Sequence, residues 1–315
     1  MNNVPEEVLI GIGDLHGHYP ALERLERELD EAYNLFNGNS VLRNGVKLVF
    51  TGDYIDRGEH SLQVIEEVRK LQEANRANIF ALMGNHELLA LEGFDQAARI
   101  NEKVRRAEIS IGKSYGEYER TCHGRNGGTA TIQSFGKLDA LDNYVRRMSR
   151  DDGDVRKWMK GLYQFTVMSI LGKNVLFVHA DVPEHFNCLQ DLKDYKTLFE
   201  DHLADRTYYV FGTSREKYDH DIVRKGLFWG RLFRDYDRDS INSVADKLGM
   251  DFIVTGHTPH KGRIVSYFDR VFDIDVGMCP AYGENTPAAI VFKKDGVYGS
   301  YCGAGERKIV DFWFY

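Results

Sequence analysis

The sequence predicts an α/β protein assembled around largely parallel strands. Short apolar runs recur along the chain, each ending in polar or glycine-rich residues, and amphipathic stretches with helical spacing lie between the first of them. The composition agrees. With 43% hydrophobic and 28% charged residues it is an ordinary globular chain, and 315 residues bury a sizeable core without disulfides.

The first apolar run, "VLIGI" (8–12), reads as a buried strand. In residues 21–36, Leu22, Leu25, Leu29, Ala32 and Phe36 step at three and four residues, which predicts an amphipathic helix. A second strand, "KLVFT" (47–51), precedes a helix over 61–72 that puts Leu62, Ile65, Val68 and Leu71 on one face; "IFALM" (79–83) is the third strand. Residues 92–165 depart from this rhythm. They are polar, charged and helix-prone, with the glycine-rich "HGRNGGTATIQSFG" (123–136) at their centre and no clear buried strand. They predict a largely helical insertion over one end of the sheet, so that 1–315 forms a single domain. Strands resume at "NVLFV" (174–178), "FIVT" (252–255), "FDIDV" (272–276) and "AAIVF" (288–292).

The bulk properties exclude several classes of function. A net charge of −7 argues against broad binding to nucleic-acid duplexes, which needs a basic face. Cys122, Cys188, Cys279 and Cys302 form no C-x-x-C pair, and none is followed six residues on by the arginine a cysteine-based phosphatase needs. Unpaired cysteines fit a reducing cytoplasm. The N-terminus does not read as a signal peptide, and no apolar run approaches the ~20 residues of a membrane helix.

The chemistry sits where the strands end. "GDLHG" (13–17) follows the first run, "GDYIDRG" (52–58) the second and "GNHE" (84–87) the third; "HAD" (179–181) and "GHTPH" (256–260) follow two later ones. Ligands of open α/β sheets bind at the carboxyl ends of the strands, so these residues converge. One such Asp or His alone would read as a turn former or a hydrogen-bonded structural residue. Together they offer three His, two Asp and one Asn oxygen without a thiolate, a set suited to Mn²⁺, Fe or Zn²⁺. Gly11, Gly13 and Gly17 follow G-x-G-x-x-x-G, one residue too long for the dinucleotide fingerprint. The first loop therefore reads as half of a metal site.

This motif set resembles the calcineurin-like metallophosphoesterases, and "GDxxDRG" with "GNHE" resembles their phosphoprotein phosphatase branch. "VHADVP", "GHTP" and "NGGTATIQSFG" are similar to its bacterial members, which include protein phosphatases and diadenosine tetraphosphatases. The resemblance implies a metallophosphoesterase β-sandwich flanked by helices, with the helical insertion over the active site. It implies two divalent ions, Mn²⁺ first with Fe or Zn²⁺ as alternatives. Asp14 and His16 would bind one, Asn85, His179 and His257 the other, and Asp53 would bridge them, with a metal-bound hydroxide as nucleophile. His86 would be the general acid, oriented by Asp56, and Arg57 and Arg231 would hold the substrate phosphate.

The expected activity is phosphomonoester hydrolysis, first of phosphoserine and phosphothreonine in a protein or peptide. Hydrolysis of diadenosine tetraphosphate or another nucleotide polyphosphate is the alternative, and a non-catalytic phosphate-binding scaffold is a third reading. Oligomeric state stays open. Asp181 is either a group orienting His179 or a turn former, and His260 reads as a solvent-facing loop residue. Arg99, Lys103, Arg105, Arg106, Arg146, Arg147 and Arg150 read first as solvated helix faces paired with nearby carboxylates, and second as the lining of a substrate lid. Tyr282, in "AYGENTPA" (281–288), is the candidate to overhang the substrate.

Overall fold

The computed structural model describes residues 7–38, 40–182, 186, 188–194 and 226–311. Two sheets lie face to face. The first orders its strands β11-β10-β9-β1-β2-β3 and the second β4-β5-β6-β8-β7. In the first, β1 (Val8–Ile12), β2 (Val46–Phe50) and β3 (Ile79–Ala81) run parallel, while β9 (Ala288–Lys293), β10 (Gly296–Tyr301) and β11 (Gly305–Asp311) continue it antiparallel. In the second, β5 (Lys173–Val178), β6 (Phe252–Thr255) and β8 (Val271–Asp273) run parallel, with β4 (Phe165–Ile170) and β7 (Val265–Tyr267) as antiparallel edges. The expectation of largely parallel strands therefore holds for one half of the first sheet and for the centre of the second. The outer strands β4, β7 and β11 are hairpin partners whose residues are largely half-exposed or exposed, so they lack the continuous apolar run that marks a buried parallel strand.

The two-residue period of β1 separates two cores. Leu9 faces the second sheet, while Val8, Ile10 and Ile12 face the helices. Between the sheets, Phe177, Phe252, Phe272 and Phe292 meet with ring centroids 5.7–6.4 Å apart. Each buried ring stabilises the sandwich by roughly 1.5–3 kcal/mol. Gly11 makes that approach possible, because a Cβ there would lie 2.9 Å from the Phe177 ring.

On the outer face lie α1 (Tyr19–Tyr33) and α2 (Ser61–Ala74). The first ends earlier than its spacing predicts: Asn34 adopts φ 48° and its N–H caps the Asp30 carbonyl, so Phe36 lies beyond the helix and Ala32 is exposed. On α2 the buried face is Val64, Ile65, Val68 and Leu71, with Leu62 at its margin.

The insertion is helical, and α3 (Asn85–Arg105) runs into it without a break at residue 92. Then follow α4 (Ile111–Tyr118), a π-type turn at Gly124–Gly128, α5 (Thr129–Ser134), α6 (Ala140–Arg147) and α7 (Asp154–Lys160); α8 (Arg238–Leu248) precedes β6. Tyr118, Ile132, Tyr144, Met148 and Met159 of the insertion join the same apolar cluster as Val64 and Ile65 of α2. No described helix is long and apolar enough to cross a membrane.

Candidate active site

The loops after β1, β2, β3, β5 and β6 meet at one end of the sandwich, and Asp14, His16, Asp53, Asn85, His86, His179 and His257 are all buried there. The backbone is bent hard to do this. His16, Asp53, Asp56, Arg57 and His257 have φ between 42° and 73°, a left-handed conformation that costs a non-glycine residue on the order of 1 kcal/mol. Two glycines give the carboxylates room. A Cβ on Gly84 would lie 2.1 Å from Asp53 Oδ1, and one on Gly256 would lie 2.3 Å from Asp14 Oδ1.

Glu87, in the first turn of α3, holds the arrangement from beneath. Its carboxylate accepts N–H groups of Gly84, Asp53 and Tyr54, each at 2.9 Å. Burial, and then the nearby Asp53, push its acid up to about 8. The motif "GNHE" contained this residue, but the sequence offered no role for it.

Hydrogen bonds decide which imidazole nitrogens face inward. His179 Nδ1 donates to the Thr51 carbonyl at 2.8 Å and His16 Nδ1 to the Ile55 carbonyl at 3.0 Å. A carbonyl only accepts, so the Nε2 of each ring presents a lone pair to the site. Burial, the largest cause, favours the neutral ring in both, and takes His16 to about 3. His179 Nε2 and His257 Nδ1 both lie 2.9 Å from Asn85 Oδ1, and His179 Nε2 lies 3.5 Å from Asp53 Oδ1. His16 Nε2 lies 3.6 Å from Asp53 Oδ2 and 3.9 Å from Asp14 Oδ2.

Lone pairs and carboxylates thus converge, with the backbone N–H of His86 donating to Asp53 at 2.9 Å and that of His257 to Asp14 at 3.0 Å. The charges show the same need. Asp14 is pushed well above the usual carboxylate range by burial and by Asp275 and Asp53. Burial also opposes the charge of Asp53, but His179, His86 and His16 outweigh it and hold the acid low. The Arg57 guanidinium lies against this acceptor set, with Nη1 2.6 Å from His16 Nε2. The donor set fits divalent cations. His16, Asp53 and His86 form one candidate group and Asp53, His179 and His257 another, sharing Asp53.

Asp56 holds His86 from behind, Oδ2 accepting from His86 Nδ1 at 2.6 Å, which leaves Nε2 toward the site, 3.9 Å from Asp53 Oδ2. Its other oxygen takes His123 Nε2 at 2.9 Å and the Thr131 hydroxyl at 2.5 Å, both from the insertion. Both lie in the segment 123–136, where residue type and spacing alone carry no such role.

At the rim, Arg57 lies 5.2 Å from the Tyr282 ring, whose hydroxyl is 3.3 Å from His16 Nε2. Arg231 is exposed, its Nη2 3.5 Å from the His257 carbonyl. Asp181 answers the choice left open above by a third route: Oδ1 accepts from Val182 N–H at 2.7 Å and Oδ2 from Leu232 N–H, which ties the His179 loop to the segment carrying Arg231. Burial pushes its acid up to about 7 against those N–H bonds. His260 is not solvent-facing as expected, because its Nε2 lies 2.9 Å from the buried Asp273 carboxylate. Across the insertion, Lys103 reaches Glu117, Arg105 reaches Asp142, Arg106 reaches Glu102, Arg147 reaches Asp154 and Arg150 reaches Asp95, at 2.7–3.0 Å.

Comparison with known proteins gives the same picture. A family model described as calcineurin-like phosphoesterase matches residues 8–261. Shewanella-like protein phosphatase 2 of Arabidopsis thaliana is 37% identical over 316 residues, covering 92% of this chain and 76% of that protein. The asymmetrical bis(5'-nucleosyl)-tetraphosphatase PrpE of Bacillus cereus strain AH820 is 40% identical over 269 residues, 84% of each chain. Among solved structures, the cold-active protein-tyrosine phosphatase of a psychrophilic Shewanella species superposes with a TM-score of 0.65, covering 97% of this chain and 81% of that one. At 14% identity that likeness is one of fold.

Proposed function

Because the chain belongs to the calcineurin-like phosphoesterase family, and is thus a dinuclear-metal phosphoric ester hydrolase, we propose that it acts on phosphoserine and phosphothreonine in proteins. The names of the two curated relatives match two substrate classes, so the choice rests on charge. Arg57 and Arg231 at the site supply two guanidinium forks, enough for one phosphoryl group. Five of the seven candidate lid cations, Lys103, Arg105, Arg106, Arg147 and Arg150, are engaged by the insertion's own carboxylates and α2's Glu66, which argues against a grip on a polyphosphate chain. The 40% identity to a dinucleotide tetraphosphatase keeps that substrate as the second reading.

Asp14, His16 and Asp53 would hold one cation, and Asp53, Asn85, His179 and His257 the other, with Mn²⁺ ahead of Fe or Zn²⁺. Bound there, the two cations supply Lewis acidity toward the phosphoryl oxygens and the attacking water. The chain's own residues do the rest. Arg57 and Arg231 orient the phosphoryl group for attack in line with the leaving oxygen. His86, in its cationic form, gives its Nε2 proton to that oxygen as the P–O bond breaks, and Asp56 holds the ring at Nδ1. The complete set of donors and the His86–Asp56 pair argue against a non-catalytic scaffold. The insertion's share in the common apolar core supports one domain over 1–315, and four cysteines outside any disulfide support the cytoplasm as its compartment.

Rates measured with Mn²⁺ on a phosphothreonine peptide and on diadenosine tetraphosphate, side by side, test this reading. The expected result is a larger kcat/KM for the peptide. A larger value for the dinucleotide would transfer the assignment to the second reading.

A further inference from the structure

We propose that His123, delivered by the insertion, is a positioning residue for the proton donor: it fixes the Asp56 carboxylate so that His86 stays oriented toward the leaving oxygen. This rests on the His86 reading above. His86 and His123 take opposite oxygens of one carboxylate, at 2.6 and 2.9 Å, and all three side chains are buried. Asp56 thus has His86 on the reactive side and His123 on the side facing the insertion.

The surroundings make His123 a rigid donor. Asp56 Oδ1, which faces His123, also accepts the Thr131 hydroxyl at 2.5 Å, so the carboxylate serves as acceptor to its neighbours. His123 Nε2 must then carry the proton, and Nδ1 accepts from the Tyr118 hydroxyl at 2.6 Å. That phenol stays protonated, because burial, Tyr144 and Asp56 push it well above its ordinary range. The ring itself is clamped. A Cβ on Gly128 would lie 2.7 Å from three of its atoms, and one on Gly93 would lie 3.1 Å from the His123 Cβ. Gly127, at φ 99°, bends the same turn so that its carbonyl meets the Arg57 N–H at 3.3 Å.

With three donors on it, the carboxylate neither rotates nor draws the Nδ1 proton away from His86. Without His123, one oxygen keeps only the Thr131 hydroxyl, and the His86 ring gains freedom. The loss should fall on proton donation, in kcat, and leave substrate binding in place.

The test uses the full-length enzyme with Mn²⁺, on a phosphothreonine peptide and on p-nitrophenyl phosphate, whose leaving group needs no proton. His123→Ala should lower kcat on the peptide by about 10–100-fold, the range for lost supporting hydrogen bonds. KM should change little, the loss on p-nitrophenyl phosphate should be smaller, and His123→Gln, which keeps an N–H, should recover most of the rate. In a His86→Asn background, His123→Ala should cost almost nothing more.

Equal losses on both substrates, or a full additional loss in the His86→Asn background, would overturn the inference. If His86→Asn itself costs both substrates equally, the proton-donor reading fails and this one with it. If His86→Asn discriminates between them and His123→Ala does not, only the His123 inference fails. Should the alanine variant not fold, the imidazole ¹⁵N shifts of His123 in the metal-free protein decide: the Nε2–H tautomer is expected, and the opposite tautomer would overturn the role.

Discussion

Asp53 and Asp56 lie on one loop, three residues apart, yet they are held from opposite sides of the molecule. Asp53 is surrounded by strand-end loops, with His16, His86 and His179 within 3.5–3.9 Å and Glu87 on its backbone N–H. Asp56 is held mostly by the insertion, through His123, Thr131 and the Gly127 carbonyl on its neighbour Arg57. The strand-end loops reach their geometry with left-handed backbone at five non-glycine residues. The insertion reaches the same loop with helices and one glycine turn. Strain buried under a fixed scaffold sets the geometry of the candidate metal groups, and packed side chains from a distant segment adjust what stands behind them.

Three substitutions would break or sharpen this contrast. Asp53→Asn removes the carboxylate on which both candidate metal groups depend, and should give the largest effect. Mn²⁺ binding by calorimetry should fall to undetectable levels, and activity on every phosphoester with it. Retention of two tight Mn²⁺ sites would separate the strand-end loops from metal binding and end the contrast.

Gly84→Ala acts on the same side but through the backbone. Its Cβ would lie 2.1 Å from Asp53 Oδ1 and 2.3 Å from the Asp53 nitrogen, neither of which can move freely. The expected cost is roughly 1–3 kcal/mol in urea unfolding, with weaker Mn²⁺ binding. A stability loss with metal affinity unchanged would mean that the loop's shape matters for folding and not for the ligands.

The smallest effect belongs to the insertion's ion pairs. Asp154 takes Arg147 and Arg69 at 2.7 Å, and those bonds hold its acid below the usual carboxylate range in spite of partial burial. A depressed folded pKa contributes stability above the unfolded value near 3.9 and loses it as pH falls through the folded one. Asp154→Asn should therefore lower stability at pH 7, by under about 1 kcal/mol because the pair is solvent-screened. The difference from wild type should vanish in thermal melts well below pH 4, and Mn²⁺ binding should be the same in both. A change in Mn²⁺ affinity would show the insertion reaching the ligands as well as Asp56.

The sequence by itself determined the α/β class, the central strands and the strand-end polar residues that the fold gathers. Each of those signals is local. A buried parallel strand is a continuous apolar run, and a loop that must turn sharply beside a carboxylate carries its glycine within a residue or two, as at Gly84 and Gly52. Parallel strands then bring their carboxyl ends together, so five short motifs sufficed to name the converging set. The tertiary structure alone decided the antiparallel outer strands β4, β7 and β11, whose partly exposed residues carry no strong period, and the end of α1, where Asn34 turns left-handed against a spacing that continued to Phe36. It alone decided that Glu87 caps three N–H groups, that Asp181 ties down the Arg231 segment and that His260 pairs with Asp273. His123 and Asp56 are 67 residues apart, and no rule of spacing joins a π-type turn in one helical segment to a strained loop in another. Their contact exists because the insertion packs its apolar face onto α2, and packing has no signature in adjacent residues.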